Sequence, residues 1–466
     1  MKTHWQLSPR LGFSYKIPGA NVTIRGGAGI FTGHILNLWY SEIYNVNTSF
    51  FEINPLLYGV RFNPDPYNQP DLQSLVINPE RAKGAVSLVA RQFKFPTVFK
   101  SSLSADKKLG NGWIFTTEVL FTKNIHEGKY TNVNVLPANK QTADPGSRNV
   151  FSLNTSTELI PMSGGNPYTS VLLLSNNNKQ TGFSYSLTAI INKVVNDKLE
   201  ITSSYSYGNA TALFEPTGNG SSSANQWGAI ETMQGRNNTR RSISDFSPGH
   251  IISARITKKL VYAKKRASTL FTLFYSGQSG SPFSYVYGGS IANDNGRNSN
   301  YDLIYIPSAT ELDNMIFLPN TGNNITYSPQ DQKVFLNNFI EKDKYLRKHR
   351  GQFAKRNGAR LPFSQVVDLR IQQNFQIKSK KKVIDVSIIY DVFNFTNLLN
   401  KKWGRIYLMS SDNFPLIRFA GFSNTTTLTP QYQFTPLTGN PWSINPSTSP
   451  GSSARWISQL GIRINL

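Results

Sequence analysis

Three oxygen-bearing side chains, Asp294, Asn298 and Asp302, lie close together in the Gly- and Asn-rich stretch NDNGRNSNYD. Oxygen donors at such short spacing can hold a calcium ion. The plainer reading, and the one preferred on sequence grounds, is a solvated turn cluster held by Asx hydrogen bonds. Other chemistry finds less support. The five histidines, His4, His34, His126, His250 and His349, are scattered, and none has zinc-ligand spacing. The chain has no cysteine, which excludes a disulfide scaffold, a thiolate metal site and a Cys nucleophile. No nucleophile–base set can be nominated, so an enzyme is not expected. The glycines of RGGAGIFTG (Gly26, Gly27, Gly29, Gly33) look like a phosphate loop only superficially. No Gly-Lys-Ser/Thr follows, and the segment reads as a strand, so close backbone approach or strand bending is their expected role.

Binding is better supplied than catalysis. The run from Ser328 to Arg360 begins with a helix cap at Ser328-Pro329. Val334, Phe335, Phe339 and Ile340 follow at helical spacing, and then Lys342, Lys344, Arg347, Lys348, Arg350, Lys355, Arg356 and Arg360. Such a surface can meet an anionic ligand or lipopolysaccharide phosphates; it can also be a short helix packed on neighbouring loops with a solvated basic face. The aromatic side chains Trp39, Tyr40, Tyr285, Tyr287 and Trp442 fall outside the alternating segments described below. They can stack on a sugar or peptide, or pack the loops together, and the sequence does not separate these.

Composition limits what can position these residues. In 466 residues, hydrophobic content is 39%, charged content only 16%, and aromatics reach 12%. Ser, Thr, Asn, Gln and Gly replace the missing charge, a mixture suited to strands with one apolar and one uncharged polar face. No stretch approaches the roughly 18 apolar residues of a transmembrane helix. Met1-Lys2-Thr3-His4-Trp5 carries no apolar signal-peptide core. The net charge of +23 admits nucleic-acid binding. The basic residues are scattered over turns and loops without interleaved aromatics, however, which fits a basic envelope surface better.

The clearest signal is alternation with period two. In Phe183 to Lys193, Phe183, Tyr185, Leu187, Ala189 and Ile191 fall on one face and Ser184, Ser186 and Thr188 on the other. Asn196-Asp197 marks a tight turn, and the pattern resumes with Leu199, Ile201, Ser203, Tyr205 and Tyr207. The same hairpin recurs over 4–15 with 21–31, 95–106 with 112–123, 250–259 with 268–277, and 366–376 with 383–392. A last strand spans 456–466. The expectation is therefore about eleven strands, most near the roughly ten residues of a tilted membrane strand. Connections inside hairpins are short, whereas those between hairpins are far longer than usual loops. A transmembrane barrel has this asymmetry; a soluble sandwich would not normally repeat long loops at one end only, and no fixed repeat suggests a solenoid. Apolar positions should face lipid. Arg25, Glu118, Glu200, Arg255, Asp368, Arg370, Asp385 and Arg463 should face the lumen. An odd number of strands, the first descending, does not close by itself, so an N-terminal portion of the barrel is expected to be missing.

Several segments carry a family resemblance. YSGQSGSPFSYVYGG from Tyr275, YDLIYIPS from Tyr301, NNFIEKDKYLRKHRGQFAKRNGARLPF from Asn337 and DVFNFTNLLNKKWGR from Asp391 resemble TonB-dependent outer-membrane receptors. The nearest group is the Oar-like receptors, which carry a carboxypeptidase-regulatory-like domain. SPRLGFSY, TIRGGAGIFTG and SDFSPGH resemble the same group. The final QLGIRINL is similar to the C-terminal signal read by the barrel-assembly machinery, through Gln459, Gly461, Ile464 and Leu466; Leu466 departs from the commoner terminal Phe.

The resemblance implies an all-β transmembrane antiparallel barrel of roughly 22 strands, filled by a plug and driven by TonB. Residues 1–466 would be the C-terminal portion of its barrel domain, with plug, TonB box and signal peptide having no counterpart. The lumen-facing charges would contact the plug or line the solute path. The expected role is transport of a large solute (oligosaccharide, peptide or chelated metal) across the cell outer membrane. Its partners would be lipid, lipopolysaccharide, plug and TonB, with no nucleic acid and no cofactor beyond the calcium reading. The alternative is a surface adhesion or binding protein on the same barrel.

Overall fold

Each wall strand starts from a sequence that alternates, and alternation has consequences only when neighbours keep register. The computed structural model describes residues 5–35, 37–45, 61, 63–69, 85–153, 168, 170–177, 179–195, 198–215, 222–264, 266–294, 300–322, 324–379, 382–437, 439–449 and 452–465. Eleven antiparallel strands form one continuous path in chain order. They are β1 (Arg10–Ile17), β2 (Val22–Thr32), β3 (Thr97–Gly110), β4 (Trp113–Asn132), β5 (Phe183–Val195) and β6 (Leu199–Ala212), followed by β7 (Gly249–Tyr262), β8 (Ala267–Gln278), β9 (Ser364–Ser379), β10 (Lys382–Phe393) and β11 (Ile457–Asn465). No helix among the described residues is long and apolar enough to cross a membrane.

Cross-strand partners share a face of a sheet, so the register sorts the side chains. One row runs Phe13–Gly26–Leu103–Val119–Leu187–Tyr207–His250. On the same face, Trp113–Lys193–Ile201–Ile256–Leu273–Leu369–Val392 forms another. Leu103, Val119, Leu187, Ile256, Leu273, Leu460 and Ile462 are exposed there. Exposed aliphatic rows on a continuous sheet face are the expected lipid surface of a transmembrane wall, and the opposite face is polar. The register expected for Leu187, Ile201 and Val386 is thus kept, with all three on this apolar face.

The glycines of β2 permit close approach. A Cβ on Gly26 would lie 2.7 Å from the Phe13 ring, and one on Gly27 would lie 2.9 Å from the Leu11 carbonyl oxygen. The short turns gather at one end. Asn21 and Asn111 there take left-handed backbone (φ 51° and 47°), which Asn tolerates better than most residues.

Two boundaries differ most from the sequence expectation. The first strand begins at Arg10, not His4; Pro9, just before it, has no N–H for the ladder, and His4 itself lies outside the described residues. β4 runs to Asn132, well past Lys123, because its upper end leaves the wall and pairs with the strand Ser170–Asn177.

The long connections are themselves folded. Ser170–Asn177 pairs in parallel with Ala85–Val89. A five-stranded sheet joins Ile316–Phe317, Thr429–Gln433, Asn413–Asn424, Pro282–Gly288 and Ala359–Arg360, drawing strands from two different connections. Two apolar cores support this assembly, one around Tyr285, Tyr287, Ile306, Leu336 and Ile417, the other around Trp39, Tyr130, Leu172, Leu213 and Trp227.

The two wall faces make a direct prediction. Leu187→Lys places a charge on the apolar face and should destabilise the folded protein in lipid vesicles by about 2–4 kcal/mol near the bilayer centre. Thr188→Lys, on the polar face, should cost far less. Urea midpoints of the two variants check the difference, and equal costs would reverse the assignment of faces.

Candidate functional site

Along the polar face of the wall, uncharged pairs come first. Thr188 bonds Ser206 (3.0 Å), Ser204 bonds Ser253 (2.7 Å), and Thr257 bonds Thr272 (3.0 Å). Charges are set among them. Arg25 and Glu118 share the row Ser14–Arg25–Ser104–Glu118–Thr188–Ser206. Glu200 and Arg370 share the row Glu200–Thr257–Thr272–Arg370–Asp391–Gln459. Arg255 faces Thr202, and Arg463 faces Ser387. Asp368 and Asp385 fall on the same face by strand parity. All eight charges expected on the lumen side therefore lie on one side of the sheet.

Several of these charges are paired within the wall. Arg25 lies 2.7 Å from Asp106, and Arg255 pairs with Glu200. Arg370 holds Asp391 with two hydrogen bonds, 2.6 and 2.8 Å. Asp368 accepts the N–H of Asn394 (2.8 Å), and Asp385 accepts from Gln376 (3.3 Å). The face is thus polar and largely satisfied while still open to solvent, as the lining of a water-filled path must be.

At the loop end, two arginines are almost fully buried. Arg236 pairs with Asp294, donates its Nε–H to the Gly228 carbonyl (2.8 Å), and is itself enclosed. Arg148 lies 3.8 Å from Asp302, donates to the carbonyls of Thr232 (3.3 Å) and Leu303, and sits over the Phe353 ring at 4.9 Å. Asp302 also accepts the N–H groups of Ile291 (2.8 Å) and Ala292 (3.1 Å). In the 294–302 stretch, Asp294 and Asp302 are thus buried and not solvated as the preferred turn-cluster reading had them. Asp294 and Asp302 each face a guanidinium, which supplies the positive charge a metal would bring. Asn298 lies outside the described residues. Among the described residues no three His, Asp or Glu side chains converge on a metal-sized site.

Of the two roles left open for the aromatics, three of the five take the packing one. Tyr285, Tyr287 and Trp39 are buried core residues. Tyr285 donates its hydroxyl to Asp343 (2.8 Å); burial, then the Asp343 charge, holds that hydroxyl far above its ordinary pKa. Trp39 donates Nε1–H to Gln226 (2.9 Å) and meets Phe93 and Tyr130 edge-on. The Tyr40 side chain lies outside the described residues. Trp442 is half-buried and lines, with Phe335, Phe339 and Phe434, a cavity of about 390 Å³.

The basic run forms the helices Pro329–Lys342 and Lys344–Lys348, the first with a Ser328–Asp331 capping box. Its buried stripe is Gln332, Leu336 and Ile340; Val334 and Phe335 point outward. Gln332 is buried because its amide bridges the Leu318 carbonyl (2.7 Å) and the Phe434 N–H (2.8 Å). Arg350 is tied to Glu341, Asn337 and the Pro307 carbonyl. Arg356 is buried and gives its Nη groups to the carbonyls of Leu213 (3.1 Å) and Ala212 (2.6 Å). Arg347 and Lys348 remain exposed.

On β11, Gln459 falls on the polar face and Ile464 on the apolar face; Gly461 shares the polar face with Gln459 by parity, and Leu466 lies outside the described residues. The sequence reading passed over Arg148, Arg236 and a group of loop carboxylates, Glu215, Glu231, Asp245 and Asp412. No regular spacing marks them, because most find a partner on a different connection: Arg148 meets Asp302, Arg236 meets Asp294, Glu231 meets Ser284 and Asp245 meets Asn357.

Removing one member of a buried ion pair strands the other. Arg236→Met should therefore lower stability by about 3–5 kcal/mol, against under about 1 kcal/mol for Arg255→Met in the exposed wall pair; denaturant midpoints compare them. Calcium followed by chelator should leave the thermal transition unchanged. A calcium-dependent rise would return the metal to the 294–302 segment.

A family profile described as "Outer membrane beta barrel domain" matches residues 1–449. Among solved structures, the chain is similar to the outer membrane transporter YddB from Escherichia coli, with TM-score 0.35 and 11% identity over 81% of this chain and 35% of that one. It is also similar to a mutant of the ferric enterobactin receptor PfeA from Pseudomonas aeruginosa (TM-score 0.35, 10% identity, 87% and 36% covered). The ferric-catecholate import receptor Fiu from E. coli gives TM-score 0.29 and 10% identity over 98% and 48%. The chain spans about a third of the length of the first of these. No curated protein matches it.

Proposed function

The chain belongs to the outer membrane β-barrel domain family, and from that premise we propose that it supplies part of the wall and the outer loops of a TonB-dependent receptor for a large solute. The protein resides in the outer membrane, with its apolar face against lipid. The observation that carries the transport reading is the sidedness of charge. Eight ionisable residues, from seven strands, fall on one face of a continuous sheet. A face of that kind lines an aqueous interior.

The sheet path runs from β1 to β11, and among the described residues those two strands do not pair with each other. Bare edges are costly in hydrocarbon, since each unpaired N–H and C=O there loses its partner. In this reading further strands close the wall, giving a barrel of roughly 22 strands of which residues 1–466 form the C-terminal portion. A plug then meets the polar face, TonB energises it, the barrel-assembly machinery reads the end of β11, and lipopolysaccharide surrounds the loops. The receptor motifs from Tyr275, Tyr301, Asn337 and Asp391 support the same reading, and their resemblance to the Oar-like group makes that group our proposed assignment. The solute is an oligosaccharide, a peptide or a chelated metal. No catalytic step belongs to this function.

Surface adhesion on the same barrel is the second reading, favoured by Arg347 and Lys348, which stand exposed on the folded loop assembly. Energy dependence separates the two. Cells carrying the full protein should accumulate a labelled solute only while the proton-motive force is intact, and should lose accumulation when TonB is deleted. Surface binding that persists unchanged with no accumulation in either state would establish adhesion and sink transport.

A further inference from the structure

The end of the chain is short of acid. From Val392 to Leu466 it carries Lys401, Lys402, Arg405, Arg418, Arg455 and Arg463 against a single carboxylate, Asp412. Asp412 lines a separate cavity with Glu215 and Glu231. Three of the cations meet in the connection between β10 and β11. Lys401, Arg405 and Arg455 line a cavity of about 580 Å³ together with Asn397, Leu398, Ile444, Asn445 and Trp456, and no acidic side chain lines it.

Neutral amides build the frame of this cavity. Asn394 donates to the carbonyls of Gly404 (2.7 Å) and Ser453 (3.3 Å). Asn397 donates to the Trp403 carbonyl (2.8 Å) and accepts the Trp456 N–H (3.3 Å). Asn445 donates its amide to the Ser452 carbonyl (3.0 Å) and its backbone N–H to the Ile406 carbonyl (2.8 Å). The cations take no part. Among the described residues, the side chains of Lys401, Arg405 and Arg455 make no ion pair and no hydrogen bond. Arg405 is half-buried, and its Nε is enclosed without a partner among those residues. The buried loop arginines Arg148, Arg236 and Arg356 all direct donors to carbonyls. A guanidinium drawn out of water is costly unless hydrogen bonds or an anion answer it, and at Arg405 the protein supplies neither.

The neighbours select the kind of anion. Leu398, Ile444 and Trp456 line the same cavity and are exposed, as are Leu399 and Trp403 beside it in sequence. Trp456 is in phase with Leu460, Ile462 and Ile464, which stand on the apolar face of β11. Ile457, next to it, pairs with Phe393, where β10 leads into its long connection. The cavity therefore sits at the rim of the wall, where the lipid surface ends. Tryptophan collects at such a boundary with its ring on the apolar side, and clustered cations there meet lipid headgroups. A guanidinium fork matches phosphate oxygens. A small soluble anion would use the cations and leave the apolar side chains in water.

We propose that this cavity docks the phosphate of an acylated lipid of the outer leaflet. Lys401, Arg405 and Arg455 take the phosphate, and Leu398, Ile444 and Trp456 meet the first carbons of the acyl chains. The proposal rests on the reading of the long connections as outer loops and is independent of the transport step.

Native mass spectrometry of the full, delipidated protein in non-ionic detergent tests this, with diphosphorylated lipid A as the probe. The first lipid A molecule should be retained, and its fully dephosphorylated form should bind at least about tenfold more weakly. Lys401→Gln with Arg455→Gln should weaken retention by about thirtyfold, the effect of two cations at a lipid surface. Both side chains are exposed, and the dephosphorylated lipid decides the matter on the unaltered protein should the double variant fail to assemble. Lys348→Gln, elsewhere on the loops, should change nothing. Inorganic phosphate in excess should not displace the lipid. Equal retention of the dephosphorylated lipid, full retention by an assembled double variant, an equal loss in Lys348→Gln, or displacement by inorganic phosphate would each overturn the inference. Failure here with energised uptake intact would refute only the lipid site; lipid retention without energised uptake would refute only the transport reading.

Discussion

The backbone hydrogen bond between neighbouring strands is the interaction on which the rest depends. In hydrocarbon no water can stand in for a missing partner, so every N–H and C=O of the wall must be paired sideways. Between its two end strands, the wall meets this demand in chain order, each strand pairing with the next. Once pairing is fixed, alternation does the remaining work: side chains sort to two faces, and a slip of one residue would exchange lipid-facing leucines for lumen-facing charges. The rows through Leu187 and through Glu118 are the two products of that single register.

Outside the bilayer the same chain solves a different problem. Its long connections cannot rely on a two-sided ladder, so they build apolar cores and clasp them with buried arginines. Arg148 binds the distant carbonyls of Thr232 and Leu303, and Arg236 the distant carboxylate of Asp294. Glu127, at the upper part of β4, accepts the N–H groups of Gly182 (2.7 Å), Leu213 (2.9 Å) and Phe214 (3.3 Å), tying three segments where loops leave the wall. Burying such groups is costly unless each donor finds a partner, and here the partners come from segments far apart in sequence.

That contrast explains what could be read from the sequence. All eleven wall strands were legible in number and order, because a half-lipid, half-water strand must alternate. Their ends were less so: β4 extends to Asn132 because its upper end pairs outside the wall, which no local pattern announces. The helix cap at Ser328-Pro329 was legible because its hydrogen bonds are local. The fate of the loop aromatics was not. Tyr285 and Tyr287 sit in a connection by sequence yet are buried, since strand Pro282–Gly288 lies between Asn413–Asn424 and Ala359–Arg360. The burial of Asp294 and Asp302 was not legible for the same reason, their counter-charges Arg236 and Arg148 being far away along the chain.

One geometric feature of the wall reaches further. The ladder row that starts at Phe13 midway along β1 exits at His250, beside the loop end of β7, and the row from Glu200 near a turn exits past Asp391 near the far end of β10. Successive strands are therefore sheared, and they must lean against the bilayer normal. The polar face consequently winds like a screw thread, with Arg25 and Glu118 on one flight and Glu200, Arg370 and Asp391 on the next. Anything that presses against this surface therefore meets charge of alternating sign along lines oblique to the strands.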